Sequence, residues 1–180
     1  MKVISGLYKG RSLKGFDIDG TRPTMDRVKE SLFASIQNYI PNSISLDLFS
    51  GSGNLGIEAL SMGGAKTYLV DHNSKSIQTI KYNVNNIGID SSKVIITNSD
   101  FRDYLKTCDM KFDIIFLDPP YATSYINDSL ELIVSNSLIN KNGIIVCETD
   151  DISKIEKTPY KEIKNKKYGD KYIVILKNVI

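Results

Sequence analysis

The sequence predicts an α/β protein whose mostly parallel, doubly wound sheet ends in an antiparallel hairpin. Short apolar runs alternate with stretches of helical periodicity through the middle of the chain. The runs are apolar almost throughout, which is typical of parallel strands covered by helices on both faces. Near the end of the chain the pattern changes to two β-rich runs around a Gly-Asp turn, which favours a hairpin.

A small hairpin and one helix are expected in the N-terminal region, residues 1–40. The hairpin is predicted from β-type residues on either side of a turn at 8–10. An amphipathic helix is predicted near 25–39 from apolar residues at helical spacing, with Thr21 or Thr24 as its N-cap.

Five strands and four helices are then predicted in alternation. The strands are expected at 44–49, 66–71, 93–97, 112–117 and 143–148, and the helices near 54–63, 74–86, 100–107 and 126–138. A hairpin of residues 160–168 and 171–177 completes the sheet. Because crossovers between parallel strands are right-handed, the loops that follow the strands meet at the carboxyl edge, where doubly wound sheets bind ligands.

Length and composition are those of one soluble globular domain spanning residues 1–180. No apolar run is long enough to cross a bilayer, and no signal peptide is seen. Cys108 and Cys147 lack metal-ligand spacing, and His72 is the only histidine. We therefore expect a cytoplasmic protein with reduced thiols, no bound metal and no membrane contact. Nothing in the sequence indicates an oligomer, so a monomer is expected.

Charge is distributed unevenly, although the net charge is only +2. Residues 1–30 carry a balance of +3 and residues 154–180 a balance of +5, whereas residues 31–153 carry −6. An acidic centre between basic ends suits a domain that binds a cationic cofactor and holds a polyanion at its rim. Solvated lysines on strand faces explain the basic tail equally well.

A glycine-rich segment marks the first candidate site. Gly51, Gly53 and Gly56 follow the first strand, where they permit a tight turn, close approach of a ligand to the backbone and close packing of the next helix. Asp71 ends the next strand, 20 residues after Gly51, where its carboxylate can accept hydrogen bonds from two ribose hydroxyls. The pattern predicts a nucleoside site; the alternative is a glycine turn beside a surface aspartate.

Asp47 bears on which nucleoside ligand binds. A dinucleotide would fit the same glycines, with its pyrophosphate at the amino end of the helix. Asp47 lies within the strand just before the loop, where an acid repels a pyrophosphate but attracts a ligand with an ammonium and a sulfonium. Asp47 could also be structural, bonding loop amides, so its position favours the cationic ligand without excluding the dinucleotide.

The segment Asp118-Pro119-Pro120-Tyr121, directly after a buried strand, is the second candidate site. Its two prolines can neither continue a strand ladder nor begin a helix interior, so they fix the backbone. The Asp118 carboxylate and the Pro119 carbonyl can then face one point, with the Tyr121 ring beside them. This arrangement suits a planar group with an amine on its edge; the alternative is a rigid turn with a hydrophobic anchor.

Asp100 and Phe101 follow the third strand and reach the same edge. Asp100 could accept a hydrogen bond from an adenine amine while Phe101 packs on the adenine ring. Alternatively, Asp100 is only the N-cap of the next helix. Both interpretations are open.

These motifs resemble, in order, those of class I S-adenosylmethionine methyltransferases that act on exocyclic amines: Asp47 to Gly56, Asp71, Asp100, and Asp118 to Tyr121. N-terminal segments narrow the resemblance to the RsmD family, bacterial 16S ribosomal RNA guanine-N(2) methyltransferases: Val3 to Gly6, Lys9 to Leu13, Arg22 to Thr24, Asp26 to Glu30, and Leu32-Phe33. The resemblance spans nearly the whole chain and is looser at 15–21 and after Lys154.

The resemblance implies a Rossmann-like fold, S-adenosylmethionine as the cofactor, and ribosomal RNA, within the small subunit or its assembly intermediate, as the partner. The implied cofactor residues are Asp47, Phe49, Gly51, Gly53, Gly56, Asp71, His72, Asp100 and Phe101; the implied catalytic residues are Asp118, Pro119, Pro120 and Tyr121. The cations expected to contact RNA beside the Asp118 pocket, unless they are ordinary surface charge, are Lys9, Arg11, Arg22, Arg27 and Lys29.

Three other functions fit part of the pattern. A DNA adenine methyltransferase shares the Asp-Pro-Pro-Tyr motif, but it usually carries a recognition domain for which 180 residues leave little room. A nicotinamide-dependent oxidoreductase would use the glycine loop but leaves residues 118–121 without a role. A non-catalytic RNA-binding or assembly factor would keep the cofactor pocket.

Overall fold

A seven-stranded sheet with helices on both faces forms the centre of the computed structural model, which describes residues 1–15, 22–120 and 124–180, residues 22–24 by their backbone only. The helices are α1 (Arg22–Ile36), α2 (Asn54–Ser61), α3 (Ser74–Ile87), α4 (Phe101–Thr107) and α5 (Tyr125–Ser135). The strands are β1 (Ile44–Asp47), β2 (Lys66–Asp71), β3 (Val94–Asn98), β4 (Phe112–Leu117), β5 (Ile139–Thr149), β6 (Lys161–Tyr168) and β7 (Lys171–Lys177).

The strand order is β3-β2-β1-β4-β5-β7-β6. Strands β1 to β5 pair in parallel, whereas β7 pairs antiparallel with both β5 and β6. The predicted fold class, a mostly parallel doubly wound sheet that ends in an antiparallel hairpin, is therefore confirmed. The order reverses between β1 and β4, and this switch point opens a crevice at the carboxyl edge.

Each face of the sheet has its own apolar layer, because side chains alternate along every strand. Leu117 of β4 packs on one face in a cluster with Leu105 of α4 and Ile133 of α5. Phe116 faces the opposite way and lies under α1, with its ring centroid 5.7 Å from that of Phe33. Helices therefore support the switch point from both sides.

The N-terminal hairpin is present but short. Lys2 and Ser12 form a single antiparallel bridge, and the Val3 amide donates to the Arg11 carbonyl over 2.9 Å. Helix α1 begins at Arg22, three residues earlier than predicted, so Thr24 lies inside the helix and cannot be its N-cap. Thr21 lies outside the described residues.

Strand β5 begins at Ile139, earlier than the predicted 143. Phe112 of β4 pairs with Ile139, but Ile114 pairs with Ile144, so the register shifts within this segment. Asn142 has a φ of 65°, a left-handed conformation that asparagine tolerates well. Because residues 140–143 are polar or glycine, the pattern of apolar runs did not indicate the start of this strand.

The C-terminal hairpin has its turn at Gly169, where φ is 58°. Its outer strand, β6, is the edge of the sheet and is exposed up to Tyr168, which is partly buried. Cys108 and Cys147 are both free thiols. None of the described helices is long and apolar enough to cross a membrane.

Candidate active site

Five acidic side chains lie at the carboxyl edge of the sheet, one from or just after each parallel strand. These are Asp47 (β1), Asp71 (β2), Asp100 (after β3), Asp118 (after β4) and Glu148 (β5). Their convergence follows from the parallel arrangement, because strands that run in the same direction end at the same edge. An edge of this charge attracts a cationic ligand.

The glycine loop between β1 and α2 needs backbone conformations that favour glycine, and at Gly56 it leaves no room for a side chain. Gly51 and Gly53 have φ values of 59° and 83°, in the left-handed region that favours glycine. A Cβ added to Gly56 would lie 2.3 Å from Leu69 Cδ2 and 2.7 Å from Thr67 Oγ1. The loop therefore turns tightly and keeps α2 close to β2, as predicted.

Asp71 is oriented by the loop that it faces. Its Oδ2 accepts a hydrogen bond from the Gly51 amide and its Oδ1 one from the Asn73 amide, each over 2.9 Å. The side chain remains 12% exposed, and a carboxylate has further lone pairs for ligand hydroxyls. His72 lies next to this group, with Nδ1 3.9 Å from Asp71 Oδ1, and its side chain is 77% exposed.

Asp47 lies beneath the glycine loop and is 1% exposed. Its Oδ2 accepts a hydrogen bond from the Gly56 amide over 3.1 Å, which is the structural role that the sequence left open. Burial raises the pKa of Asp47 to about 7, and the nearby charge of Asp71 acts in the same direction. Asp47 therefore holds the glycine loop from below, and its effect on a cationic ligand remains a prediction.

Asp100 is the N-cap of α4. Its Oδ1 accepts hydrogen bonds from the amides of Arg102, over 2.8 Å, and Asp103, over 3.3 Å. The capping interpretation is confirmed. The proposed bond to an adenine amine remains a prediction.

Phe101 belongs to an aromatic group that the sequence revealed only in part. Its ring centroid lies 5.0 Å from that of Phe49 and 4.8 Å from that of Tyr125. The Arg102 guanidinium lies 4.5 Å from the Phe101 centroid and is bound to Asp128 over 2.6 Å. Tyr125 and Arg102 were missed because α5 and α4 approach each other only in the folded chain. The group forms an apolar, π-rich wall beside Asp100.

The Asp118-Pro119-Pro120 segment directly follows β4, as the sequence predicted. Asp118 is half-buried, Pro119 is buried and Pro120 is exposed. Because β4 pairs with β1 across the switch point, Asp118 borders the same crevice as the glycine loop. Tyr121 lies outside the described residues.

Asp118 does not stand alone. Its carboxyl is hydrogen bonded to that of Glu148, and burial together with the charge of Glu148 raises the pKa of Asp118 well above its usual value. Lys171 Nζ lies 3.1 Å from Glu148 Oε1. Sequence reasoning missed both partners. Glu148 lies at the end of a predicted strand, as Asp118 does, and the same rule would have found it; Lys171 required the antiparallel pairing of β7.

Lys29 corrects one prediction. It was expected to contact RNA, but only 2% of it is exposed. Its Nζ lies 3.0 Å from Glu58 Oε1 and donates to Asn54 Oδ1 over 2.7 Å and to the Lys2 carbonyl over 2.6 Å. Lys29 is therefore a structural cation that joins α1, α2 and the N-terminal hairpin.

Lys9 and Arg11 are both exposed, on a turn that packs against α2. The Leu7 amide next to their turn donates to the Ser61 carbonyl over 2.8 Å, at the last residue of α2. The glycine loop adjoins the first residue of that helix, about 12 Å away for eight residues at 1.5 Å each. The expectation that these two cations flank the pocket stays a prediction.

Arg22 and Arg27 occupy the first half of α1. The Arg22 side chain lies outside the described part of the chain. Arg27 is exposed and forms no ion pair with any described residue, Asp26 and Glu30 included.

The arrangement can bind a cationic nucleoside and present it to an amine. The glycine loop offers space, Asp71 offers acceptors for hydroxyls, and Phe49 and Phe101 offer an apolar wall. Among the described residues, no group of three or more His, Cys, Asp or Glu side chains is arranged to hold a metal ion.

Comparison with known proteins identifies relatives of the whole fold. The family model described as "Conserved hypothetical protein 95" matches residues 1–177. "Putative rRNA methyltransferase YlbH" of Bacillus subtilis (strain 168) is 42% identical over 152 residues, which cover 83% of each chain. "Ribosomal RNA small subunit methyltransferase D" of Buchnera aphidicola subsp. Acyrthosiphon pisum (strain APS) is 37% identical over 148 residues, 82% of this chain and 77% of that protein. The solved structure "Putative methyltransferase yhhF from Escherichia coli" matches with a TM-score of 0.87 at 26% identity, covering 99% of this chain and 98% of that one.

Proposed function

We propose that this chain, which belongs to the RsmD family of methyltransferases, transfers a methyl group from S-adenosylmethionine to the 2-amino group of a guanine in 16S ribosomal RNA. The observation that carries the proposal is the position of the glycine loop and of Asp118-Pro119-Pro120 on either side of one switch point. In this proposal residues 1–180 form a single methyltransferase domain that acts as a monomer in the cytoplasm, on the small subunit or its assembly intermediate.

S-adenosylmethionine is the cofactor, and residues after β1, β2 and β3 would hold it. When bound, it supplies a methyl group on a sulfonium, whose sulfur keeps the electrons of the bond that breaks. Gly51 and Gly53 leave room for the methionyl part, Asp71 accepts hydrogen bonds from the ribose, and Phe49 and Phe101 face the adenine. The acidic edge favours the positive charge of the sulfonium.

Asp118 and Pro119 hold the target amine in this mechanism. One oxygen of the Asp118 carboxyl and the Pro119 carbonyl accept its two hydrogens, which directs the nitrogen lone pair out of the base plane. This matters because the lone pair of a guanine amino group is delocalised into the ring. Fixed alignment of two reacting groups lowers a barrier by about 7–11 kcal/mol. Tyr121 stacks on the base once it has turned out of its own stack.

The RNA backbone binds the α1–β6 surface, which consists of Arg27, Lys164 and Lys166. Lys164 Nζ donates to Ser35 Oγ over 2.6 Å and Lys166 Nζ to Ser31 Oγ over 3.3 Å. Neutral hydroxyls do not neutralise an ammonium, and no described acid forms an ion pair with these three cations. Unneutralised cations in a row suit phosphates.

This surface is continuous with the candidate active site. Tyr168 ends β6 beside Lys171, the residue that is bound to Glu148. The surface therefore lies along one wall of the approach to Asp118.

A methyl-transfer assay with labelled S-adenosylmethionine tests the proposal. Small subunits from cells that lack this protein should accept label, and nucleoside analysis should yield 2-methylguanosine. A short naked oligonucleotide should be a far poorer substrate, because RNA is recognised by shape and by an exposed base. Label in 6-methyladenosine, or equal activity on duplex DNA, would overturn the guanine assignment and favour an adenine methyltransferase. Absence of transfer with normal binding of RNA and cofactor would favour an assembly factor.

A further inference from the structure

Three ionisable side chains, in or directly after three neighbouring strands, form a connected row at the active edge. Leu117 of β4 pairs with Cys147 of β5 in parallel, so Asp118 and Glu148 continue adjacent strands in the same register. Glu148 pairs in turn with Ile173 of β7, and Lys171 lies two residues before Ile173. The row therefore runs Asp118, Glu148, Lys171, from the crevice outward.

The contacts within the row fix the place of one proton. Two carboxyl groups can share a hydrogen bond only if one of them carries a proton, and Asp118 and Glu148 share such a bond. Lys171 Nζ lies 3.1 Å from Glu148 Oε1 and gives that carboxylate a cationic partner, whereas burial raises the pKa of Asp118 well above its usual value. The proton therefore resides on Asp118, which donates it to Glu148 and keeps its other oxygen as an acceptor.

We propose that Glu148, held by Lys171, is a positioning residue that takes the proton of Asp118 when Asp118 receives a proton from the target amine. As the amine nitrogen forms its bond to the methyl group, one N–H bond breaks and its proton binds the free Asp118 oxygen. The original O–H bond of Asp118 breaks and an O–H bond forms on Glu148. Glu148 then releases the proton to water at the side of the row where Lys171 is 43% exposed.

This inference rests on the proposed function, because it uses Asp118 as the acceptor of the amine. It adds a role for two residues outside the Asp-Pro-Pro-Tyr motif. The charged groups that act on Asp118 are Glu148 on β5, Lys171 on β7 and Asp47 on β1; the two acids raise the pKa of Asp118 and the lysine lowers it. Titration of the Asp118 carboxyl therefore reports on both neighbours in the row.

Two variants shift that titration in opposite directions. Glu148→Gln keeps the size and the hydrogen bond but removes a negative charge, so the Asp118 carboxyl should titrate at lower pH. Lys171→Met removes the positive charge, so it should titrate at higher pH, and Lys171→Arg should restore the wild-type value. Carbon-13 NMR of the carboxyl groups in the cofactor-free protein measures these shifts directly.

The pH dependence of kcat for methyl transfer is the second measurement. Glu148→Gln should lower kcat by about a hundredfold, the order of a general base contribution, and should remove the acidic limb, because the group whose protonation would block the relay is absent. Lys171→Met should move the midpoint of that limb to higher pH. Affinity for S-adenosylmethionine should stay within about twofold in both variants.

A purely structural role gives a different result. In that case Glu148→Gln lowers the melting temperature and reduces kcat equally at every pH, with unchanged midpoints, and the relay is overturned. Asp118→Asn separates the two proposals. If it retains normal turnover, the proposed function of Asp118 fails; if it loses turnover while Glu148→Gln leaves kcat and the midpoints unchanged, only the relay fails.

Discussion

The backbone amide of Gly51 donates a hydrogen bond of 2.9 Å to Oδ2 of Asp71. This bond joins the loop after β1 to the end of β2, so the two parts of the predicted nucleoside site hold each other in place. Asp71 is therefore an acceptor for the loop and, in the proposed function, an acceptor for the ligand as well.

Asp71→Ala should weaken binding of S-adenosylmethionine by about 1–3 kcal/mol, because charge-assisted hydrogen bonds to the ribose are lost. Asp71→Asn keeps an acceptor for the Gly51 amide and should lose less. Isothermal titration calorimetry measures both. Wild-type affinity in the alanine variant would place the cofactor elsewhere.

Asp118→Ala should reduce methyl transfer about a hundredfold or more, because an acceptor of the amine is removed. Cofactor affinity should be nearly unchanged. The melting temperature should not fall, since the substitution removes a carboxyl whose pKa is raised by burial and by Glu148. A lower melting temperature with normal turnover would favour a rigid turn. Tyr121→Ala should also slow transfer, whereas Tyr121→Phe should have a small effect because the expected role is stacking.

Lys29→Met should lower the free energy of unfolding by about 3–5 kcal/mol, because it leaves the carboxylate of Glu58 buried without its cation. Chemical denaturation measures the loss. Lys9→Met removes the same charge from an exposed turn and should stay within about 0.5 kcal/mol of wild type. Equal stability of the two variants would contradict the structural role of Lys29.

Asp47→Asn should stabilise the cofactor-free protein at neutral pH. The folded chain keeps a proton on Asp47 up to about pH 7, whereas the unfolded chain releases it near pH 4. Between these values the folded state binds more protons, so the free energy of unfolding of the wild type falls as pH rises.

The free energy of unfolding of the Asp47→Asn variant should not fall with pH in this way, because asparagine has no proton to release. The asparagine side chain still offers an oxygen to the Gly56 amide. Its advantage should be absent near pH 4 and reach about 2–4 kcal/mol above pH 7. Denaturant titrations at pH 4, 6 and 8 measure the difference. The exposed Asp109→Asn is the control, and a constant offset at all three pH values would contradict the burial of charge at Asp47.

Lys164→Gln combined with Lys166→Gln should weaken RNA binding and reduce the slope of log K against log salt by at most about two. Cofactor affinity should not change. Lys81→Gln with Lys93→Gln removes the same charge near the opposite edge of the sheet and should have little effect. The double variant of Lys9 and Arg11 adds a comparison. A larger effect there than at Lys164 and Lys166 would place the RNA on the N-terminal turn.

The sequence alone determined the order of elements and the residues at the ends of the strands. Periods of 2 and 3.6, turn residues and apolar runs are local properties, so the strand–helix alternation could be predicted within a few residues. Parallel pairing then places Asp71 and Asp118 at one edge whatever the details of packing. The glycine loop and the proline pair were recognisable because each needs a backbone conformation that few other residues adopt.

Only the tertiary structure decided which charged side chains are exposed and which are buried in an ion pair. Lys29 and Arg27 are two residues apart on one helix, yet one is buried against Glu58 and the other is exposed. Nothing local distinguishes them, because the partner of Lys29 lies 29 residues away on α2. Likewise Lys171 reaches Glu148 only through the antiparallel return of β7. Desolvation and long-range pairing are properties of the packed chain, and they determine where the protein holds its protons.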